Sequence, residues 1–377
     1  MKMTAPPDFS REVYCLLGLP FDAIDLMAAT RHIRNAALNR TPCFLTTANV
    51  NFLVASQTDP NFRDSVIHSD LSVADGMPLI WLARILNIPL TQRVAGSDLF
   101  DALRHEQDSP LSVFFFGGPD GVAQAACLTL SAESKGLTCA GFESPGFGSI
   151  EDMSSIEVLQ RINASGAHLL VVSLGARKGQ AWIERNRAKL DIPIISHLGA
   201  VVNFVAGTTH RAPRSMQYIG LEWLWRILEE PMLWHRYLWD ALALITLMIT
   251  RILPYAWHLR LHKTNPKQLA SARVQSEEDD QNCVIRLQGA WTQLNLGPLR
   301  NCFLEATQTG KNLKLDLSNV TYIDSAFVGL VMLLHGYQAQ HGSQFLIVSP
   351  SKPVLRVLRF CCAEYLCSDP IPKFHTD

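Results

Sequence analysis

The residues of this chain that could do chemistry sit where apolar runs break into short polar stretches. One such run, LSVADGM at residues 71–77, ends in a single carboxylate, Asp75, and a glycine. If residues 71–74 form a buried strand, Asp75 stands at its carboxyl end and Gly76 lets the backbone turn into the helical pattern PLIWLARIL. Open α/β sheets bind ligands at the carboxyl ends of their strands, so an acid there faces a cleft and can act as a general base. The same placement suits a helix cap worth about 1 kcal/mol, and the heptapeptide alone leaves both roles open. Residues 43–53, CFLTTANVNFL, carry Thr46, Thr47, Asn49 and Asn51. These either cap a following helix or bind a hydroxyl-rich ligand. Arg93 falls in a loop, TQRVAGSDLF, with Ser97 or Asp98 opening the next helix. Gly117, Gly118 and Gly121 follow the strand-like LSVFFF and could bring backbone N–H groups to a phosphate. Their spacing matches neither GxGxxG nor the GxxxxGK pattern.

Regular elements must position these groups. Residues 13–20 read as a strand and Asp22 to Leu38 as a helix with Asp22 near its start, while residues 43–53 read as a second strand. Further strands are expected within residues 111–116, 137–149, 168–174 and 192–200, alternating with helices. That rhythm predicts a Rossmann-like, mostly parallel sheet covered by helices on both faces.

From Gly220 the composition changes. Tryptophans stand at 223, 225, 234, 239 and 257, among Arg226, His235, Arg236, Arg251, Arg260 and Lys263. The longest charge-free apolar run, Ala241 to Thr250, falls short of the roughly 20 residues of a spanning helix. Residues 220–262 are therefore expected to form a helical appendage lying on a membrane surface, aromatic side chains at headgroup depth and cations toward anionic lipid. A core helix or a subunit interface would use the same composition. Residues 263–280 lose aromatics and gain charge, as a linker does. Beyond them, residues 281–372 alternate strands and helices again as a small α/β domain.

The chain has 377 residues, enough for two domains, with 33 Lys plus Arg against 34 Asp plus Glu. No global basic field points to nucleic acid. Nine cysteines lie mostly in apolar runs without CxxC or zinc spacing and read as thiols in a reducing compartment, not as a disulfide framework. The amino-terminal stretch has no apolar core of secretory type, so a cytoplasmic location is expected.

With those residues in view, residues 11–262 resemble the WecB/TagA/CpsF family of bacterial glycosyltransferases. The resemblance rests on TANVNFL, SVADGMPLIWLAR, QRVAGSDLF, FFFGGPDGVA, PGFGS, LGA and AGTTHRAPRSMQYIGLEWLWRIL, in that order. It implies inverting transfer of a sugar from a UDP donor, of the N-acetylmannosamine, its uronic acid or the glucose type, to a polyprenyl-diphosphate-linked acceptor during surface polysaccharide assembly. By the same resemblance Asp75 is the catalytic base, and Thr47, Asn49 and Arg93 line the pocket. Gly117 and Gly118 are further substrate-binding candidates. Arg93, Arg211, Arg226 and Arg236 are the cations available to the leaving diphosphate. No DxD-like pair is placed to hold a metal, so no cofactor is expected and transfer is expected to be metal-independent. The chain departs from the family in GARKGQ, where Gly179 and Gln180 occupy the usual Gln-Glu positions, leaving Gln180 as the donor contact there. It is also poorer in arginine after Pro231.

Residues 281–372 resemble the STAS domain, through LKLDLSNVTYIDSAFVGLVMLL. Phospho-switched members carry their serine after an Asp-Ser pair; here Ala326 and Phe327 follow Asp324-Ser325. Ser325 is the regulatory candidate that remains, and the domain is expected to dock a protein partner. A catalytically inactive scaffold acting through this domain is the competing expectation.

Overall fold

The computed structural model describes residues 7–106, 109–146, 148–262 and 266–367. It has two compact units: Ala23–Leu82 with Pro89–Leu244, and Met1–Asp22 with Ala83–Ile88 and Ile245–Asp377.

Strands are numbered along the chain. In the second of these units β1 (Val13–Leu16) and β2 (Leu19–Asp22) form an antiparallel hairpin. In the first, β3 (Cys43–Ala48), β4 (Leu71–Ala74), β5 (Leu111–Gly117), β6 (Leu137–Glu143), β7 (Leu169–Ser173) and β8 (Ile194–His197) make one parallel sheet, in the order β4-β3-β8-β7-β5-β6. The expected parallel α/β architecture is what the chain adopts. Burial on both faces explains the near-continuous apolar strands: Val113 and Phe115 join one core cluster, and Phe114 and Phe116 the other. Phe116 stacks on Trp182 at 4.4 Å between ring centroids. From β3 the chain steps outward to β4, then crosses to β5 on the far side and fills the gap with β7 and β8. Such a reversal opens a crevice at the strands' carboxyl ends.

Three sequence expectations change here. The strand read over residues 43–53 stops at Ala48, because the Asn49 side chain accepts the Phe52 N–H and caps the helix Val50–Thr58. Asp22 does not start a helix; it ends β2 and pairs with Arg11 at 2.7 Å, while Asp25 caps the helix Leu26–Leu38. Cys127 and Cys139, with Cα atoms 5.2 Å apart, form a disulfide. The expectation of thiols throughout is corrected at that pair.

The other unit is built on β9 (Arg273–Glu278), β10 (Asn282–Trp291), β11 (Asn312–Ile323) and β12 (Phe345–Val348), in the order β12-β11-β10-β9. Within this four-stranded sheet the pairings are parallel except β9 with β10. The segment expected as a linker thus holds the short helix Pro266–Ala270 and an edge strand, whose polar side chains suit an exposed edge. The hairpin belongs to this unit as well. Residues 13–20, read as one strand, fold back at Leu17 and Gly18, both at positive φ (49° and 88°), as a two-residue hairpin turn demands. β1 lies so close over the helix Ser325–Gln340 that a Cβ at Gly329 would strike the Val13 carbonyl.

The stretch after Gly220 is helical, as expected, but its length differs from the expectation. One helix runs Pro231–Leu261, 31 residues with a mean hydropathy of 1.4 in its most apolar window, long and apolar enough to cross a membrane. Apolar residues between the isolated charges Arg236, Asp240 and Arg251 raise the average that a search for charge-free runs misses. Only 22% of that window is buried, so it is not a core helix.

Candidate active site

Asp75 leaves the end of β4 with its N–H donating to the Ala48 carbonyl on β3 at 2.8 Å. Its carboxylate accepts a 3.4 Å hydrogen bond from the Gly96 N–H at the start of the helix Gly96–His105. A Cβ at Gly96 would lie 2.6 Å from Leu198 Cδ2 and 3.2 Å from Thr47 Oγ1, so the helix start packs closely on both side chains. Thr47, on β3 opposite Val73, is therefore within a few ångströms of the same backbone, and its side chain is buried.

A four-charge cluster surrounds the acid. Arg93 is bound by Glu222, by Asp98 at 2.8 Å and by Gln217 at 3.3 Å. Arg211 pairs with Asp98 at 2.5 Å and faces Glu222 at 3.8 Å. Burial, and secondarily the Glu222 charge, push the Asp75 pKa up to about 7, against the pull of Arg93. A carboxylate so poised takes up a proton readily yet is half ionised near neutrality, as a general base requires.

The other expected residues are placed as follows. Asn49 serves as a helix cap, and Asn51 donates to Asp240 at 3.2 Å. Gln180, 1% exposed, donates to Thr46 Oγ1 at 3.3 Å and leaves its Oε1 without a partner. A Cβ at Gly179 would collide with the His197 ring, so an imidazole fills the room a larger residue would need there. Gly117 and Gly118 turn at positive φ (95° and 84°), and the Gly118 N–H donates to the Ser173 carbonyl at 2.8 Å. That amide joins β5 to β7 and is already committed. Arg226 pairs with Glu230 at 3.5 Å and lies over the Phe204 ring, and Arg236 lies over Tyr237. The structure thus gathers Asp75, Thr47, Arg93 and Arg211; none of the described contacts joins Arg226 or Arg236 to them.

Two residues were missed from sequence. Glu222 was an acid in a stretch read only for its tryptophans and cations, and no local spacing marks its pairing with Arg93 and Arg211. His197, at the end of β8, keeps an enclosed Nε2 without a partner, and burial pushes its pKa down to about 4. Ser325, in the other unit, is 6% exposed and donates to the Cys15 carbonyl of the hairpin at 3.0 Å. Its neighbour Asp324 caps the helix through the Phe327 N–H.

Residues 14–256 match the model of the Glycosyl transferase WecG/TagA/CpsF family, and residues 274–362 that of the Mlab, STAS domain. A similar curated protein is the N-acetylglucosaminyldiphosphoundecaprenol N-acetyl-beta-D-mannosaminyltransferase of Bacillus spizizenii, 26% identical over 222 residues, 58% of this chain and 84% of the relative. The protein of the same name from Staphylococcus aureus strain NCTC 8325 is 24% identical over 216 residues, 56% of this chain and 83% of that one.

Proposed function

Since the chain belongs to the WecG/TagA/CpsF family and is a glycosyltransferase, we propose that it moves a sugar from a UDP donor to a polyprenyl-diphosphate-linked acceptor, with inversion. Asp75 takes the proton of the acceptor hydroxyl as that oxygen bonds to C1 of the donor sugar. The C1–O bond to UDP breaks on the opposite face, and the electron pair leaves with the diphosphate. Arg93 and Arg211 receive that charge by exchanging Asp98 and Glu222 for phosphate oxygens, charge-assisted bonds of the same kind. In this scheme Thr47 and Asn49 border the acceptor and donor pocket, with Gln180, on the helix Ala176–Asn186, and the Gly117–Gly118 turn at the end of β5 as further substrate contacts. Arg226 and Arg236 supply further positive charge toward the lipid diphosphate. Transfer needs no metal ion in this scheme.

The observation that carries the reading is a carboxylate at a strand's carboxyl end, raised to about 7 with Arg93 acting on it and Arg211 on the neighbouring Asp98. Asp75→Asn should lower kcat by two or more orders of magnitude and leave UDP binding, read by calorimetry, nearly unchanged. Near-normal turnover would remove Asp75 from the role.

The acceptor is membrane-borne, and the exposed apolar helix supports a location on the inner face of the cell membrane. Two of its charges are held by protein groups: Asp240 by Asn51, and Arg251 by Glu364 at 3.6 Å, each within its own unit. Drawing them into hydrocarbon would cost several kcal/mol, so the helix lies in the surface plane instead of crossing it. Trp234, Leu238, Trp239 and Leu242 face outward, as such a placement requires.

A further inference from the structure

Outside the candidate active site, the helices Leu253–Leu261 and Lys352–Phe360 border an open trough of about 520 Å³. Its apolar wall includes Ile249, Leu253, Trp257 and Leu261, which recur every four residues and are each more than half exposed (61, 51, 63 and 63%). One continuous helix face is therefore turned outward. Phe360 forms part of the opposite side. The remaining polar lining is basic: His258, His262 and Arg356, with no carboxylate. His258 is 7% exposed, and its Nε2 is enclosed without a partner. Its ring stacks on His262 at 4.2 Å, and His262 spends Nδ1 on the His258 carbonyl. Burial first, then His262 and Arg356, hold the His258 pKa below the usual histidine range, and Arg356 supplies the formal positive charge of the lining.

We propose that this trough seats an anionic phospholipid, one acyl chain lying along Leu253, Trp257 and Phe360 and the headgroup phosphate held by Arg356, with His262 beside it. Apolar length beside an arginine, with no carboxylate in the lining, is the complement of a charged lipid. The apolar face of a second copy would strand Arg356 in a dry interface, where an unpaired charge is costly. Arg356 lies in the part of the chain that matches the STAS model, which gives that fused domain a lipid-reading role. The inference rests on the membrane-surface reading above and adds a specific seat to it.

Co-sedimentation of the full chain with phosphatidylcholine vesicles, with and without phosphatidylglycerol, tests both. Wild type should bind both kinds and prefer the anionic one. Arg356→Ala should lower partition to the anionic vesicles about fivefold and leave binding to pure phosphatidylcholine unchanged. His262→Ala should act in the same direction. Lys352→Ala, on the same helix but outside the trough, should hold the wild-type preference. An unchanged preference in Arg356→Ala overturns the seat, as does an equal loss in Lys352→Ala, which would make the attraction diffuse. A dimer abolished by Trp257→Glu, with vesicle binding intact, would assign the face to a second copy and overturn it too. Binding to neither vesicle by wild type would instead defeat the membrane-surface reading itself, and the seat with it.

Discussion

A carboxylate with a midpoint near 7 changes state across the range in which the enzyme must work. The base acts ionised, so kcat/KM should rise with pH, reach half its plateau near pH 7 and stay level above it. Glu222 helps hold the Asp75 pKa up and Arg93 holds it down. Glu222→Gln should therefore move the rising limb to lower pH, and Arg93→Met to higher pH, in pH–rate profiles. The same shift affects stability. The folded pKa lies above the unfolded value of about 3.9, so keeping Asp75 ionised burdens the fold above pH 4, and fully above pH 7. Asp75→Asn should melt at a higher temperature than wild type at pH 8 and close to wild type at pH 4, in paired thermal melts. Asp75 itself could be read from the sequence, because a strand end followed by glycine and a helix pattern is a local signal. Its electrostatic setting could not: Arg93 meets Glu222 across 129 residues, and nothing local marks such a pairing.

At the scale of elements, the strands and most helices followed from hydrophobic periodicity, and the errors fell at turns and caps. Asn49 looked like the tail of a strand because Val50 and Phe52–Leu53 continue its apolar run; only the cap geometry ends β3 at Ala48. Leu17 is not a turn residue by type, so Gly18 alone marked the hairpin. β9 escaped notice because an edge strand exposed on most positions shows no apolar alternation. Gly329 is where elements depend most on one small residue. Gly329→Ala places a methyl group against the Val13 carbonyl, backbone that cannot swing aside as a side chain would. A loss of about 1–3 kcal/mol in urea denaturation is expected, and no loss would show that the hairpin is not held there.

For the whole molecule, balanced charge and two α/β rhythms announced two domains and argued against nucleic acid. The sequence could not show that residues 13–22 and 83–88 pack with the carboxyl-terminal unit, because long-range association has no composition of its own. The metal-free scheme makes its prediction at this scale: transfer by the full chain should survive excess chelator. Complete loss restored by one divalent ion would refute it. The hairpin has a further consequence, for biosynthesis. Cys15 and Ser325 are 310 residues apart, yet they share a hydrogen bond. At roughly 5–20 residues per second, the hairpin leaves the ribosome many seconds before its helix exists. Leu16, Leu19 and Phe21, all fully buried at the end, must wait unshielded through that interval. Translation pauses, or chains cut short before residue 325, should therefore engage chaperones through this amino-terminal segment.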